Sequence, residues 1–576
     1  MPSTPPTEPG PSQRASWARG FEHPIAFWFG ALCCTAGVLL HLPMYYGARD
    51  MGYRLNGMAP DVPMMTGMAL IGIGLVAALY GVLPRDRAGL RRSVTRVRVQ
   101  ALDDAPIRRQ HVALLAVMAV AVTIDVMKPT ALGFVVPGFA KEYGLKAPGN
   151  PHGHPAAAWL PLVGITGTVL GSLVWGSFAD WAGRRASIMY AGLLFVTTSI
   201  CGAMPGYKWN LLMCLMMGIA AGGMLPITFA LMAETIPARH RGGLMVLIGG
   251  EIAAAYVITS WLAARLVPHY SWRILWLIGI PTGVLLLVLN HWIPESPRYL
   301  IARGRRVEAE AIMARYGARV IQDPDTPATD ADADADADAG ADAGAGAGTG
   351  PGADVARVGF GTLVRRPFLG PTTAITVLGL GVGLVTYGFQ LWVPTNLQRI
   401  GYSAVNSAYV VRNAALIGLP LTVLLAWMYD RFGGRRTIAV SSAVTAAAMA
   451  GFVIGGDGLA HHRMLLSVLL VVPLSAVSSV VAMVAAYASE VYPTRIRARG
   501  TGVAAGMTKA GGVLILAVVV GSPNIPGIRT TALIGAVPLV IAALCFLTSG
   551  PETRRRGLDD IARELGAADL EPNPAI

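Results

Sequence analysis

Counting apolar runs of about 20 residues, the length that crosses a hydrocarbon layer ~30 Å thick, gives fourteen along this chain. Two leading blocks lie near 24–46 and 63–83. Twelve more follow, near 111–139, 157–179, 187–205, 210–232, 244–266, 272–292, 370–395, 406–428, 437–456, 463–488, 500–521 and 529–549. Short charged stretches part them, and 54% of the 576 residues are hydrophobic against 14% charged. The chain therefore reads as an all-α polytopic membrane protein. The first block is too long for a signal-peptide core and no clear small-residue cleavage site follows it, so it is expected to stay as a span.

The formal net charge of +13 hides a split, because residues 323–354 hold nine Asp and no basic residue. Elsewhere the Arg residues fall in loops between apolar blocks, the bias of cytoplasmic loops, which explains the excess better than a nucleic-acid partner does. Alternating the sides of fourteen spans gathers Arg85 through Arg109, Arg184 and Arg185, Arg239 and Arg241, Arg298 through Arg319, Arg431 through Arg436, Arg495 through Arg499, and Arg554 through Arg556 on one side. Opposite loops hold only Arg49, Arg54, Lys141, Lys146, Lys208, Arg399, Arg463 and Arg529. The expectation is a multi-pass plasma-membrane protein with both termini cytoplasmic. Arg greatly outnumbers Lys, which hints at a GC-rich bacterial genome.

The stretch "DADADADADAGADAGAGAGTGPGAD" has almost nothing to bury and is expected to be a flexible linker. Its Asp spacing does not make a calcium loop, which needs Gly at its sixth position and a bidentate Glu at its twelfth. His152 and His154 in "NPHGHP" read as plain loop residues, and the five Cys, all inside apolar blocks, imply no disulfide framework. No metal and no cofactor is expected.

Three loop motifs occur twice. "GSFADWAGRR" (176–185) returns as "AWMYDRFGGRR" (426–436), "AETIPARHRGG" (233–243) as "SEVYPTRIRARGTG" (489–502), and "PESPRYL" (294–300) as "PETRRRGLDDI" (551–561). Asp180 to Asp430, Glu234 to Glu490 and Glu295 to Glu552 are 250, 256 and 257 residues apart, so two six-span halves are duplicated, the build of many secondary transporters. These residues resemble those of the major facilitator superfamily, near its sugar-porter and organic-ion or metabolite:proton symporter branches, over about residues 111–561. "YGFQLWVPTNL" (387–397) is similar to the seventh span of organic-ion and synaptic-vesicle-glycoprotein-type members. The resemblance implies two six-helix bundles, here preceded by two extra transmembrane helices of no assigned mechanism.

The expected organisation is a disordered cytoplasmic N-terminus (1–23), the two extra helices (24–83), a basic cytoplasmic linker (84–110), an N-terminal bundle (111–293), a cytoplasmic loop with the low-complexity tract (294–366), a C-terminal bundle (367–550) and a cytoplasmic tail (551–576). The repeated loops make sense as a cytoplasmic gate. Asp180 can pair with Arg184, Arg185 or a helix N-terminus, and Glu234 with Arg241 likewise. Glu295, Arg298, Asp430, Arg435, Arg436, Glu490, Arg497 and Glu552 complete the candidate set.

Charges also stand inside the apolar blocks. A charged side chain at the centre of a span costs about 2.5–3.5 kcal/mol on insertion scales, so exposure to lipid is disfavoured. Asp125 and Lys128 lie at i and i+3 on one helix face, where they can partly neutralise each other, and Pro129 loosens the backbone beside them. Glu251, Arg412, Asn413, Lys509, Gln390 and Trp392 also fall in apolar blocks, with Tyr487 toward the end of one. Three cations against two acids leave room for an anionic ligand in a shared cavity. Asp125 or Glu251 is the candidate proton carrier, and Lys128, Arg412 and Lys509, with Gln390, Trp392, Asn413 and Tyr487, are candidates for holding substrate.

None of the five Lys sits in a phosphate-cradling G-x-x-x-x-G-K-[ST] loop, and neither a nucleophile elbow nor H-E-x-x-H occurs. An ATP-driven pump and an enzyme are therefore disfavoured. The expected function is proton-coupled symport of a small organic, carboxylated metabolite, with a monomer as the working unit in the bilayer. A proton-coupled drug or metabolite exporter, a sugar or polyol porter and a transporter-like sensor stay open.

Overall fold

The computed structural model describes residues 23–83, 106–147, 150–289, 292–302, 305–317, 360–492, 494–522, 527–548 and 551–553. The expected N-terminal disorder, most of the basic linker, the acidic tract and most of the tail lie outside these residues.

Regular structure among the described residues is helical apart from isolated bridges at Lys146–Ala156 and Ala147–Asn150. The leading pair is α1 (Pro24–Leu39), with a short continuation α2 (Leu42–Gly47), and α3 (Val62–Val82). Asp61 caps α3 by accepting from the Met64 backbone N–H at 2.8 Å. The first half comprises α4 (Arg109–Tyr143), α5 (Trp159–Ala182), α6 (Arg184–Thr197), α7 (Tyr207–Thr235), α8 (Ala238–Gly249) running into α9 (Glu251–Tyr270), and α10 (Ile274–Leu277) followed by α11 (Gly279–Leu289). A 3-10 turn, Thr198–Ala203, ends the span that α6 begins. Short helices α12 (Pro297–Ala302) and α13 (Arg306–Tyr316) lie beyond it.

The second half opens with α14 (Leu369–Gly383), a π-helical turn Leu384–Phe389, a 3-10 turn Gln390–Trp392 and α15 (Val393–Arg399). It continues with α16 (Ala404–Phe432), α17 (Gly434–Gly455), α18 (Arg463–Val491), α19 (Thr494–Gly521) and α20 (Ile528–Thr548). Twelve helical stretches among the described residues are long and apolar enough to cross a membrane. Two shorter apolar ones, Trp159–Ser172 and Ile274–Leu289, match the other two blocks of the sequence.

Glycines let two helix pairs approach closely. A Cβ on Gly37 of α1 would stand 2.6 Å from the Gly67 carbonyl oxygen of α3, and Gly30 and Gly74 repeat the arrangement one heptad away. α5 and α7 cross through Gly164, Gly167 and Gly171 against Gly218 and Gly222. The leading pair lies on α6: Phe27, Ala31 and Ala78 pack on Ala186, Met189 and Leu193, and Val38, Met64 and Ile71 on Val196, Ile200 and Met204.

The halves meet where α5 lies against α19, where α8 and α9 lie against α16, and where α4 crosses the Gln390–Trp392 turn. At that last crossing Gly133 faces the Leu391 carbonyl with no room for a Cβ. The repeat is visible at the end bearing the Arg-rich loops, called here the basic end. Gly183 and Gly433, each three residues after the repeated Asp180 or Asp430, hold φ of +97° and +95° and start α6 and α17.

Candidate functional site

The clearest polar bridge between the halves is a lysine. Lys509 of α19 extends into the first half, where its Nζ donates to Ser172 Oγ of α5 and to the Gly222 carbonyl of α7, the latter at 3.0 Å. Both acceptors sit at the glycine-lined α5–α7 crossing, where missing side chains leave a backbone carbonyl reachable. Asp125 of α4 lies close by, 4% exposed, and its Oδ1 has no hydrogen-bond partner. Lys509 acts on Asp125 electrostatically more strongly than Lys128 does.

Around this pair the π-helical turn changes the register of the seventh span of the two halves. Gln390 accepts from Tyr256 of α9 at 3.2 Å and donates from Nε2 to the Pro473 carbonyl of α18, so one amide joins both halves. Tyr387 feels the charge of Asp125 and lies near Tyr256. Tyr256, Tyr387 and Ser172 were not singled out from sequence, because such side chains are ordinary in an apolar span.

The other candidates are dispersed. Lys128 turns into the first half: its Nζ donates to the Phe195 carbonyl at 2.6 Å, to Thr198 Oγ1 at 3.0 Å and to Ser199 Oγ at 3.3 Å, and lies 3.9 Å from the Phe195 ring centroid. It thus occupies the C-terminal end of α6, where carbonyls lack intrahelical partners and the helix dipole favours a cation. Arg412 bonds the neighbouring Asn413 Oδ1 at 2.6 and 3.0 Å and stacks on Tyr409, on the side of α16 where Leu416 and Ile417 are exposed. Trp392 is buried among apolar residues with Nε1 unpartnered. Glu251 is half-buried at the first turn of α9. Tyr487 lies at the basic end, donating to the Pro551 carbonyl at 2.9 Å.

At the basic end Glu295 and Glu552 lie at helix N-termini. Glu295 accepts from the backbone N–H groups of Arg184 at 2.7 Å, Arg185 at 3.3 Å and Ser296 at 3.0 Å, so its carboxylate lies on the N-terminus of α6. Burial pushes this carboxyl above the usual Glu value, against the pull of those N–H groups. Glu552 lies beside Gly433 at the start of α17 and accepts from the Thr553 N–H at 3.1 Å. Arg435 donates to the Phe546 carbonyl at 2.7 Å and to that of Leu547, closing the end of α20. Tyr429 donates to Glu490 at 3.1 Å. Asp430 and Arg436 are exposed. The side chains of Asp180, Glu234, Arg241, Arg298 and Arg497 lie outside the described residues.

Known proteins share this architecture. The niacin transporter NiaP of Acinetobacter baylyi is 26% identical over 80% of this chain and 99% of its own length. The gallate transporter of Pseudomonas putida is 26% identical over 78% of this chain and 94% of its own. The 4-hydroxybenzoate transporter PcaK of Acinetobacter baylyi is 26% identical over 72% and 85%. Among solved structures, the proton:xylose symporter XylE bound to 6-bromo-6-deoxy-D-glucose superposes with a TM-score of 0.61 at 18% identity, covering 79% of this chain and 99% of that one, a likeness of fold. The family model described as Major Facilitator Superfamily matches residues 114–516. That match runs from the first span of one half into the fifth of the other, through both copies of the G-R-R motif, and on it the chain belongs to the Major Facilitator Superfamily as a membrane transporter.

Proposed function

We propose that this transporter is a symporter that carries one small aromatic or similar monocarboxylate together with one proton by alternating access. The observation that carries the reading is Lys509 reaching from one half into the other beside the buried carboxylate Asp125. Niacin, gallate and 4-hydroxybenzoate, the substrates named for three relatives, are all aromatic carboxylic acids.

Charge balance supplies the coupling. In the empty carrier Asp125 and Lys509 neutralise each other. With Asp125 protonated and a substrate carboxylate on Lys509, the site is neutral again. A proton alone leaves one net positive charge, and a substrate alone one net negative charge. An uncompensated charge at mid-depth costs about 2.5–3.5 kcal/mol, so half-loaded carriers are disfavoured by roughly 100-fold. Substrate bound to Lys509 also draws the ammonium from Ser172 and Gly222, loosening a contact between the halves. Gln390, Tyr256 and Tyr387 lie near Asp125 and offer hydrogen bonds to a ring substituent.

In this reading the basic end faces the cytoplasm of a bacterial cell, with both termini on that side and the monomer as the working unit; the bias of Arg toward those loops supports the orientation. The close approach of Gly242 to Glu490 and Tyr429 of the other half supports a gate at that end. Reconstitution into proteoliposomes tests the reading, with benzoate and nicotinate as first probes. Asp125→Asn is expected to abolish accumulation driven by a pH gradient while keeping substrate exchange; unchanged accumulation would sink the coupling role. Lys509→Gln is expected to raise the KM for monocarboxylates at least tenfold, and an unaltered KM would remove Lys509 from the binding site.

A further inference from the structure

Two six-helix halves do not need the leading hairpin, yet it is bonded into one of them, with most of its bonds gathered on one residue, Glu142. Glu142, near the end of α4, accepts on Oε1 from the backbone N–H of Leu55 at 2.9 Å and of Asn56 at 3.1 Å, and from Arg273 Nη2 at 2.7 Å. Its Oε2 accepts from Trp272 Nε1 at 2.9 Å and Arg273 Nε at 3.3 Å. Asn56 Nδ2 adds a bond to the Glu142 carbonyl at 3.2 Å. The ion pair is dry, with side-chain exposures of 0% for Arg273 and 4% for Glu142. Arg273 also donates from Nη1 to the carbonyls of Gly202 and Met204, at 3.3 and 2.8 Å, and from Nη2 to Tyr143 Oη at 3.0 Å. One carboxylate thus joins the hairpin loop, the end of α4, the α9–α10 link and, through Arg273, the end of the Thr198–Ala203 turn.

The reason lies in α6. It stays α-helical for 14 residues, where its repeat counterpart α17 runs for 22. The 3-10 turn that follows cannot face acyl chains, since irregular backbone at membrane depth is tolerated only under protein cover. Arg273 takes the carbonyls of Gly202 in the turn and Met204 just after it, and the hairpin shares the cover, Val38 packing with Ile200 and Tyr45 and Tyr53 with Ala203: 89% of the span Arg184–Ala203 is buried, against 50% of Gly434–Gly455. Tyr45 of α2 adds a bond from its hydroxyl to the Tyr270 carbonyl at 2.7 Å. All of these partners belong to the first half.

We propose that Glu142 is a positioning residue through which the hairpin fixes the outer end of α4, so that hairpin and first half travel as one body while the crossing of Gly133 and Leu391 opens by motion of the second half against them. The inference rests on the alternating-access reading. Loss of the Glu142 bonds frees the outer end of the helix that carries Asp125, which slows the conformational step without touching the groups that hold substrate.

Spin labels at Asp50→Cys in the hairpin loop, Lys208→Cys in the first half and Arg399→Cys in the second, three exposed positions, test this in the full chain with Cys33 and Cys545 changed to Ser. Between neutral pH and acid pH with benzoate, the Lys208–Arg399 and Asp50–Arg399 distances should shift together, and Asp50–Lys208 should stay fixed. A moving Asp50–Lys208 distance overturns the proposal. If Lys208–Arg399 stays fixed too, alternating access under these conditions fails, and a second arm still decides the hairpin. Glu142→Gln should broaden the Asp50–Lys208 distribution and lower turnover at least fivefold with KM within twofold, and Glu142→Asp should restore part of it. Asn56→Ala, which leaves the ion pair intact, should broaden the distribution less. A narrow distribution in both variants refutes the role of Glu142.

Discussion

A lysine at mid-depth has three N–H bonds to satisfy, and the two central lysines satisfy them differently. Lys128 places all of them on the end of α6 and the turn that follows it, whereas Lys509 places two on the opposite half. Lys128→Ala is accordingly expected to cost about 2–4 kcal/mol of stability, from the cavity and from acceptors left unpaired, measured by unfolding in detergent. Its effect on monocarboxylate KM should be under threefold, and a tenfold KM change at unchanged stability would return Lys128 to the binding site. Sequence alone could flag both residues, because any ionised group in an apolar block needs a partner. It could not name the partners: the Phe195 and Gly222 carbonyls carry no sequence signature. Arg412 drew notice for the same reason as Lys509, yet its helix face and its bond to Asn413 separate it from the central pair.

Helix caps and crossings carry the next level of organisation. The repeated motifs located Glu295 and Glu552, and the positive φ of Gly183 and Gly433 explains why each motif needs its glycine. What spacing could not convey is that both carboxylates rest on helix N-termini. Burial raises the Glu295 carboxyl above its ordinary value of 4.5. The folded chain then keeps a proton that the unfolded chain releases, so this group's contribution to stability is complete below about pH 4.5 and is lost as pH rises through the raised value. Glu295→Gln should flatten that segment of the Tm-against-pH curve; a slope equal to that of the parent protein would contradict it. At the α1–α3 crossing, Gly37→Leu drives a side chain into the Gly67 carbonyl and should destabilise by about 1–3 kcal/mol. Gly47→Ala, with open space around it, serves as the near-neutral control in the same thermal melts.

For the whole molecule, span number, the two-half division and the family were legible because apolar length and repeated loops are properties of sequence. The hairpin's seat was not, since the leading blocks have no repeat partner and their docking depends on glycine contacts and on one carboxylate far along the chain. The charge balance proposed for Asp125 and Lys509 makes a prediction at this scale: a proton moving with a monoanion carries no net charge. Uptake of nicotinate or benzoate should rise with an inward proton gradient and stay within about twofold when a potassium diffusion potential is imposed. A strong dependence on voltage would require a different stoichiometry. Because the loop Arg49–Asp61 is tied, among the described residues, to the first half, an antibody fragment gripping it is expected to ride with that half. It would give a small membrane protein the rigid outer landmark that particle alignment in electron microscopy requires.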